Sequence, residues 1–218
     1  MKKQFTVIGL GNFGHYLATS LFEKGHEILA IDKDSTCVQG IKDDVTHAVV
    51  ADTTDGKTLE SLHIKNVDTA IVCIGSILSA SILTVLNLQE IGVKKIIAKA
   101  ISAPHVRILN KLGVTEILFP EKDIAVSLAQ RLHNPNLIDY LPIMEDYGII
   151  ELEVPNNFIG KTLKEVDMIN RYGVQVVAIK EIIPQKMNFI PTGNFVLKSS
   201  DILILLGNQK GLDKMQGN

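Results

Sequence analysis

Gly9-Leu10-Gly11-Asn12-Phe13-Gly14 follows a short apolar run and opens a stretch with helical periodicity. Each glycine has its own physical reason. Gly9 permits a tight turn, Gly11 lets phosphate oxygens approach backbone N–H groups, and Gly14 lets a helix pack closely on a strand. The head of the helix adds partial positive charge, which suits an anion. Asp32 stands about 18 residues past Gly14, at the end of the next apolar run, with Lys33 beside it. A carboxylate there can accept both hydroxyls of a ribose and would repel a 2′-phosphate. The pattern points to a dinucleotide or adenine-nucleotide site that disfavours NADP, lined also by Leu10, Asn12, Phe13 and Lys33. The plainer alternative is a glycine turn kept only for packing.

The ends of later apolar runs offer further wall residues: Ala51-Asp52-Thr53, Ile74-Gly75-Ser76 and Lys99-Ala100. Asp52 can accept from an adenine amine or close a turn, and Lys99 can face a phosphate or simply be a solvated strand end. Asp55 reads as the cap of a helix starting near Gly56. Glu121, after Pro120, could hold a divalent cation against nucleotide phosphates. With Asp123 it could equally supply favourable charge to the first turn of a helix.

The elements that would position these residues alternate. Short β-branched runs at 5–8, 28–31, 48–50, 69–74, 95–98 and 116–119 are separated by helical patterns near 12–24, 35–42, 56–63, 77–91 and 104–112. Apolar residues on both parities, as in Ala70-Ile71-Val72-Cys73-Ile74, suit strands covered on both faces. Right-handed crossovers then predict a Rossmann-like, doubly wound parallel sheet of order 3-2-1-4-5-6. A helix over 122–133 ends at His133-Asn134-Pro135-Asn136, and Tyr140-Leu141-Pro142 reads as an extended linker. The division is therefore a nucleotide-binding domain over 1–134, a linker over 135–145 and a small α+β lobe over 146–218. The lobe's pattern predicts strands at 148–154, 174–180 and 202–206, a helix at 163–169 and a hairpin region near 189–197.

Composition narrows the function. Of 218 residues, 46% are hydrophobic and 21% charged, which supports a buried core. Lys and Arg number 22 against 24 Asp and Glu, so no basic field exists to collect nucleic acid. Cys37 and Cys73 are far apart, and the N-terminus runs into glycines before an apolar leader could form, so the expected compartment is the cytoplasm. The six histidines never pair at helical spacing, which argues against a local histidine metal site. Residues 69–89 carry no charge and match a membrane span in length, but read better as strand, turn and helix. In that helix Leu78, Ile82, Val85 and Leu88 form the expected inner arc. Ser79, Ala80, Thr84, Asn87 and Glu90 form the outer one, where Leu83 intrudes as a subunit contact or a lone exposed leucine.

The run of VIGLGNFG, AIDKD, VVADTTD, IVCIGS and KLGVTEILFPEKDIA, then GKTL, RYGVQVVAIK and Pro191, Leu197, Asp201, Ile202 and Leu203, closely resembles the cytosolic regulatory subunits of bacterial Ktr/Trk potassium uptake systems. Those proteins join an N-terminal RCK (KTN) domain to a C-terminal RCK lobe. The resemblance covers essentially the whole chain, and the PEKD segment and lobe pattern are more specific than the glycine motif. It implies a non-enzymatic gate. Dimers form through the helix after PEKD, four dimers make an octameric ring, and the ring docks on a separately encoded membrane potassium-translocating subunit. It also implies that Gly9, Gly11, Gly14, Asp32 and Glu121 hold ATP or ADP, or NAD(H), with Mg2+ or another cation. Asn12 stands where many ATP-responsive members carry arginine, which weakens ATP-over-ADP discrimination and favours NAD(H). Some relatives bind cyclic di-AMP in the lobe, which would place a ligand near Ile169, Arg171, Ile179 and Pro191. Ile169 replaces an arginine there, and plain dimerisation through apolar surface is the competing reading. A small NAD-dependent oxidoreductase is the alternative function, although no His or Cys follows residue 140 to serve it.

Overall fold

In the first half of the chain the β-branched runs form strands and the periodic stretches between them form helices. In order these are β1 (Gln4–Ile8), α1 (Asn12–Glu23), β2 (Glu27–Asp32), α2 (Ser35–Ile41), β3 (His47–Val50), α3 (Gly56–Ser61), β4 (Thr69–Val72), α4 (Leu78–Ile91), β5 (Ile96–Lys99), α5 (Ala103–Lys111), β6 (Glu116–Leu118) and α6 (Pro120–His133). The computed structural model describes residues 2–133, 137–144 and 146–216. It divides into two compact units, Met1–Glu121 and Lys122–Asn218, so the division falls inside α6 rather than near residue 134.

The six strands pair in parallel in the order β3-β2-β1-β4-β5-β6, as the crossover rule predicts. Neighbouring residues serve opposite faces. Ile8, Ile31 and Val72 pack in one buried cluster with Val85, Leu88 and Leu109. Val7, Ala30 and Ile71 pack in the other with Ala18, Val38 and Ile41. Burying both parities gives the strands their continuous apolar runs, and each fully buried large aliphatic side chain contributes about 1.5–3 kcal/mol.

α4 departs from its expected wheel. Val85 and Leu88 are buried as predicted and Leu83 is exposed on the outer arc, but Ser81 and Thr84 are also buried, while Leu78 of the expected inner arc is exposed. Hydrogen bonding explains the rotation. The hydroxyls of Thr84 and Thr53 lie 2.8 Å apart, and Asn87 Nδ2 donates to the carbonyls of Thr53 and Thr54 at 3.1 and 3.0 Å. The helix is pinned to the loop before α3 through polar side chains, which the hydrophobic pattern does not register.

The second unit holds β7 (Leu137–Met144), β8 (Tyr147–Glu153), α7 (Leu163–Val166), α8 (Met168–Tyr172), β9 (Val174–Glu181), β10 (Lys186–Phe189), β11 (Ile202–Asn208) and α9 (Gln209–Gln216). Its sheet runs β10-β9-β11-β8-β7 with every pair antiparallel. Ile150, Leu152, Val176, Leu203 and Leu205 cover one side together with Leu212 and Met215 of α9. The expected linker is corrected here: 137–144 is a strand paired with β8. Pro142 is tolerated because β7 lies at the edge of the sheet, where a missing N–H breaks no inner ladder. Residues 134–136 and 145 of that linker lie outside the described residues.

The single helix expected over 163–169 is two. A capping box between Thr162 and Glu165 starts α7, and Asp167 then adopts a left-handed conformation at φ 52°. Val166 and Met168 are both buried, yet residues two apart point to opposite sides of a straight helix. The break lets both enter the core. The hairpin turn falls between β9 and β10, earlier than the expected 189–197.

Candidate nucleotide crevice

Gly9 and Gly14 are required by the chain itself. Gly9 has φ 93°, and a Cβ there would come within 2.8 Å of the Ile74 backbone nitrogen. A Cβ on Gly14 would land on the Gly9 carbonyl oxygen and press on Cys73 Cβ at 3.2 Å. These two positions lock the β1–α1 turn against β4 and the loop that follows it. Gly11 is different. Its φ of −62° is open to any residue, and a Cβ there would meet nothing within 4 Å. Openness alone does not make a site, since Gly40 in α2 is equally open and nothing in the structure explains it. Gly11, however, heads α1, which no side chain caps, whereas Asp34, Asp55 and Ser102 cap α2, α3 and α5. The α4 head, after Ile77, likewise has no side-chain cap. An uncapped first turn presents N–H groups to an anion.

Asp32 is fixed over this turn. One carboxylate oxygen, Oδ2, accepts the Leu10 N–H at 2.6 Å, and the other, Oδ1, accepts the Asp34 N–H at 2.9 Å. Each oxygen keeps a second lone pair, so the group is oriented and still able to accept hydroxyls. Lys33, next to it in sequence, is exposed, as is Asn12 in the first turn of α1, and Leu10 is buried.

Asp52 is a turn residue. Its Oδ1 accepts both the Thr54 hydroxyl at 2.7 Å and the Thr54 N–H at 3.0 Å. Those bonds, the hydroxyl first, hold its carboxyl below the ordinary range, with a smaller contribution from the Lys33 charge. Thr53, also expected as a wall residue, is buried, and its hydroxyl is engaged by that of Thr84. Asp55 caps α3 through the Lys57 N–H at 3.1 Å, as expected.

Lys99 reaches the glycine turn. Its ammonium lies 5.6 Å from the Phe13 ring centroid and 3.7 Å from where a Gly75 Cβ would stand, and its side chain is only 11% exposed. It forms an ion pair with Glu121, whose own side chain is 60% exposed. The hydrogen bond from Lys99 is the main cause holding the Glu121 carboxyl below its usual range. The separate sequence readings of these two residues did not foresee that they meet. The signal was the strand order, which puts the carboxyl ends of β5 and β6 side by side.

Among the described residues no group of three or more His, Cys, Asp or Glu side chains stands together, and the neighbour of Glu121 is a cation. Cys73, buried behind Gly14, has its thiol pushed up to about 12 by burial, which makes it a poor nucleophile at neutral pH. In the lobe, Ile169 and Arg171 are exposed and Pro191 is half-buried. Ile179, the remaining position expected near a ligand, is fully buried in the lobe core.

This architecture defines a Rossmann-type α/β unit followed by an antiparallel lobe. The TrkA-N domain model matches residues 5–120 and the TrkA-C domain model residues 149–217. The chain belongs to the TrkA-N/TrkA-C family, which includes Ktr system potassium uptake proteins. It is 37% identical over 216 residues to the Ktr system potassium uptake protein C of Bacillus subtilis (strain 168), covering 99% of this chain and 97% of that one. Identity to the Ktr system potassium uptake protein A of the same organism is 34%, covering 98% and 96%. The protein of that name from Vibrio alginolyticus is 32% identical, covering 96% and 94%. Among solved structures, the GsuK RCK domain superposes with a TM-score of 0.66 at 18% identity, over 100% of this chain and 47% of that one. The GsuK channel bound to NAD gives a TM-score of 0.65 at 18% identity, over 99% of this chain and 39% of that one. At that identity the likeness is one of fold.

Proposed function

We propose that the crevice binds an adenine nucleotide, with phosphates over Gly11 and the head of α1 and a ribose on Asp32. Gly11 carries this reading. Neither backbone conformation nor internal packing demands glycine there, and the vacant space faces an uncapped helix head beside an oriented carboxylate. ATP and ADP are the first ligands to consider. NAD(H) is the second, favoured by the uncharged Asn12 in the first turn and by the aversion of Asp32 to a 2′-phosphate.

The binding serves regulation rather than catalysis in this proposal. The chain is a cytoplasmic, non-enzymatic gate on a separate membrane potassium-translocating subunit, acting through a difference in nucleotide affinity between ring conformations. Full-length similarity to proteins named for potassium uptake supports it. Among the described residues, no helix is long and apolar enough to cross a membrane. Dimerisation through α6 is supported by Ile124, Leu128 and Leu132, exposed at four-residue spacing and therefore on one stripe. Four such dimers would make the octameric ring. In the lobe, exposed Ile183, Phe189 and Ile190 favour an apolar dimer contact over a cyclic di-AMP site.

The test is a thermal-shift panel of ATP, ADP, NAD, NADH and cyclic di-AMP on wild type and Asp32→Ala. Stabilisation by at least one of ATP, ADP, NAD and NADH, lost in the variant, is expected. A wild type that none of these four stabilises, or a variant that keeps the full shift, would overturn the nucleotide reading. Turnover of NAD with a hydroxy acid would overturn the non-enzymatic one.

A further inference from the structure

We propose that Glu121 occupies Lys99 as an internal substitute for a ligand phosphate, so that an anionic nucleotide binds by taking the Lys99 ammonium away from Glu121. The inference rests on the nucleotide reading above and adds the charge that reads the phosphate and the group that competes for it.

Lys99 is placed for the role. It ends β5 on the carboxyl side of the sheet, its stem is buried, and its ammonium lies beside Phe13 of the glycine turn and next to Gly75. With its side chain only 11% exposed, Lys99 has little water to solvate its ammonium and gains from a counter-charge. Position 12 carries no cation, and Lys99 brings one beside Phe13 of the glycine turn. Glu121 meets the need for a counter-charge. As the more exposed partner it can turn to water when displaced, whereas Lys99 has little freedom to follow.

The exchange has a structural consequence. Glu121 lies in the first turn of α6 and is the last residue of the first unit. In the paired state its side chain ties that turn to the end of β5. Phosphate capture by Lys99 unties it, so that occupancy of the crevice changes what holds the head of α6. A ligand without phosphate leaves the tie in place.

Competition predicts an unusual sign. Isothermal titration with ADP and with adenosine, in buffer without divalent cations, would be run on wild type, Glu121→Gln, Lys99→Met and the double variant. Each variant is first checked for wild-type melting behaviour and circular dichroism. Glu121→Gln keeps the shape, removes the competing charge and should tighten ADP by about two- to fivefold, the range of an exposed ion pair. Lys99→Met should weaken ADP by about tenfold or more, as expected for a lost charge-assisted hydrogen bond. The double variant should match Lys99→Met, since without Lys99 there is nothing to compete for. Adenosine binding should be the same in all four proteins.

Weaker or unchanged ADP binding in Glu121→Gln would overturn the competition. If ADP binding is lost in Asp32→Ala yet unaffected by either substitution at 99 or 121, this inference falls and the nucleotide reading stands. If wild type binds neither ADP nor adenosine, both fall together.

Discussion

Two glycine-lined junctions, one in each unit, use the same packing device and end in different states. In the lobe, a Cβ on Gly211 would collide with the Tyr172 carbonyl oxygen, and one on Gly207 would stand 2.9 Å from Val174 Cγ2. The Gly211 N–H donates to Asn208 Oδ1 at 2.8 Å, so the start of α9 is also served from within. Chain fills the space at both positions. In the first unit, Gly9 and Gly14 are pressed against Cys73 and Ile74, just past β4, and against the turn itself, but Gly11 between them faces open space. Among the acidic groups the contrast is partial, since Asp201 Oδ1 is buried with no hydrogen-bond partner among the described residues. In the lobe, Asp201 Oδ2 accepts the Lys198 N–H at 3.0 Å, Glu181 takes the Lys198 ammonium at 2.8 Å, and Glu165 completes a capping box. At the crevice, Asp32 is oriented by two backbone N–H groups and keeps lone pairs to offer. A glycine explained by its own chain marks a joint; Gly11, left unexplained at a helix head beside an oriented carboxylate, is the one the proposed nucleotide accounts for.

The comparison breaks most visibly at the filled glycines. Gly14→Ala and Gly211→Ala should each cost about 3 kcal/mol or more in urea unfolding, because the new methyl meets backbone that cannot yield. Gly14→Ala should also abolish nucleotide binding, whereas folded Gly211→Ala should keep the wild-type Kd. If Gly211→Ala changed that Kd, the lobe would be part of the site and the contrast would fail.

A smaller effect sharpens the account of the first unit's interior. His105 is fully buried; its Nδ1 accepts the Ile101 N–H at 3.3 Å, and its Nε2 has no hydrogen-bond partner among the described residues. Burial pushes its pKa below the ordinary 6.5. The unfolded chain therefore takes up the proton first, so stability is complete above about pH 6.5 and declines as pH falls from there. Melting temperature followed from pH 8 to 5 should show this decline, and His105→Asn should flatten it. An unchanged slope in the variant would show that another group carries the effect.

How much of this was legible in the sequence follows the range of the interactions. The six-strand order could be read because burial on both faces leaves its mark on every strand, as Val7-Ile8 and Ile71-Val72 show, and crossover handedness does the rest. The glycine turn and Asp32 were legible because their spacing is local. The inward turn of Thr84, the break at Asp167 and the strand at Leu137–Met144 were not. Each depends on a partner distant in sequence or on fitting two core residues at once. The Lys99–Glu121 pair lies between: each residue was visible, but their meeting required the strand order to be combined with the side-chain reach.

If Gly11 is glycine for the sake of a ligand, as proposed, one substitution reveals it. Gly11→Ala should cost no more than about 1 kcal/mol in unfolding, the size of a helix-cap change, since no atom of the chain opposes the methyl. In the same protein, ADP affinity measured by titration calorimetry should fall by about tenfold or more, the methyl now standing where phosphate oxygens approach. Loss of stability comparable to Gly14→Ala, or ADP binding equal to wild type, would contradict the account.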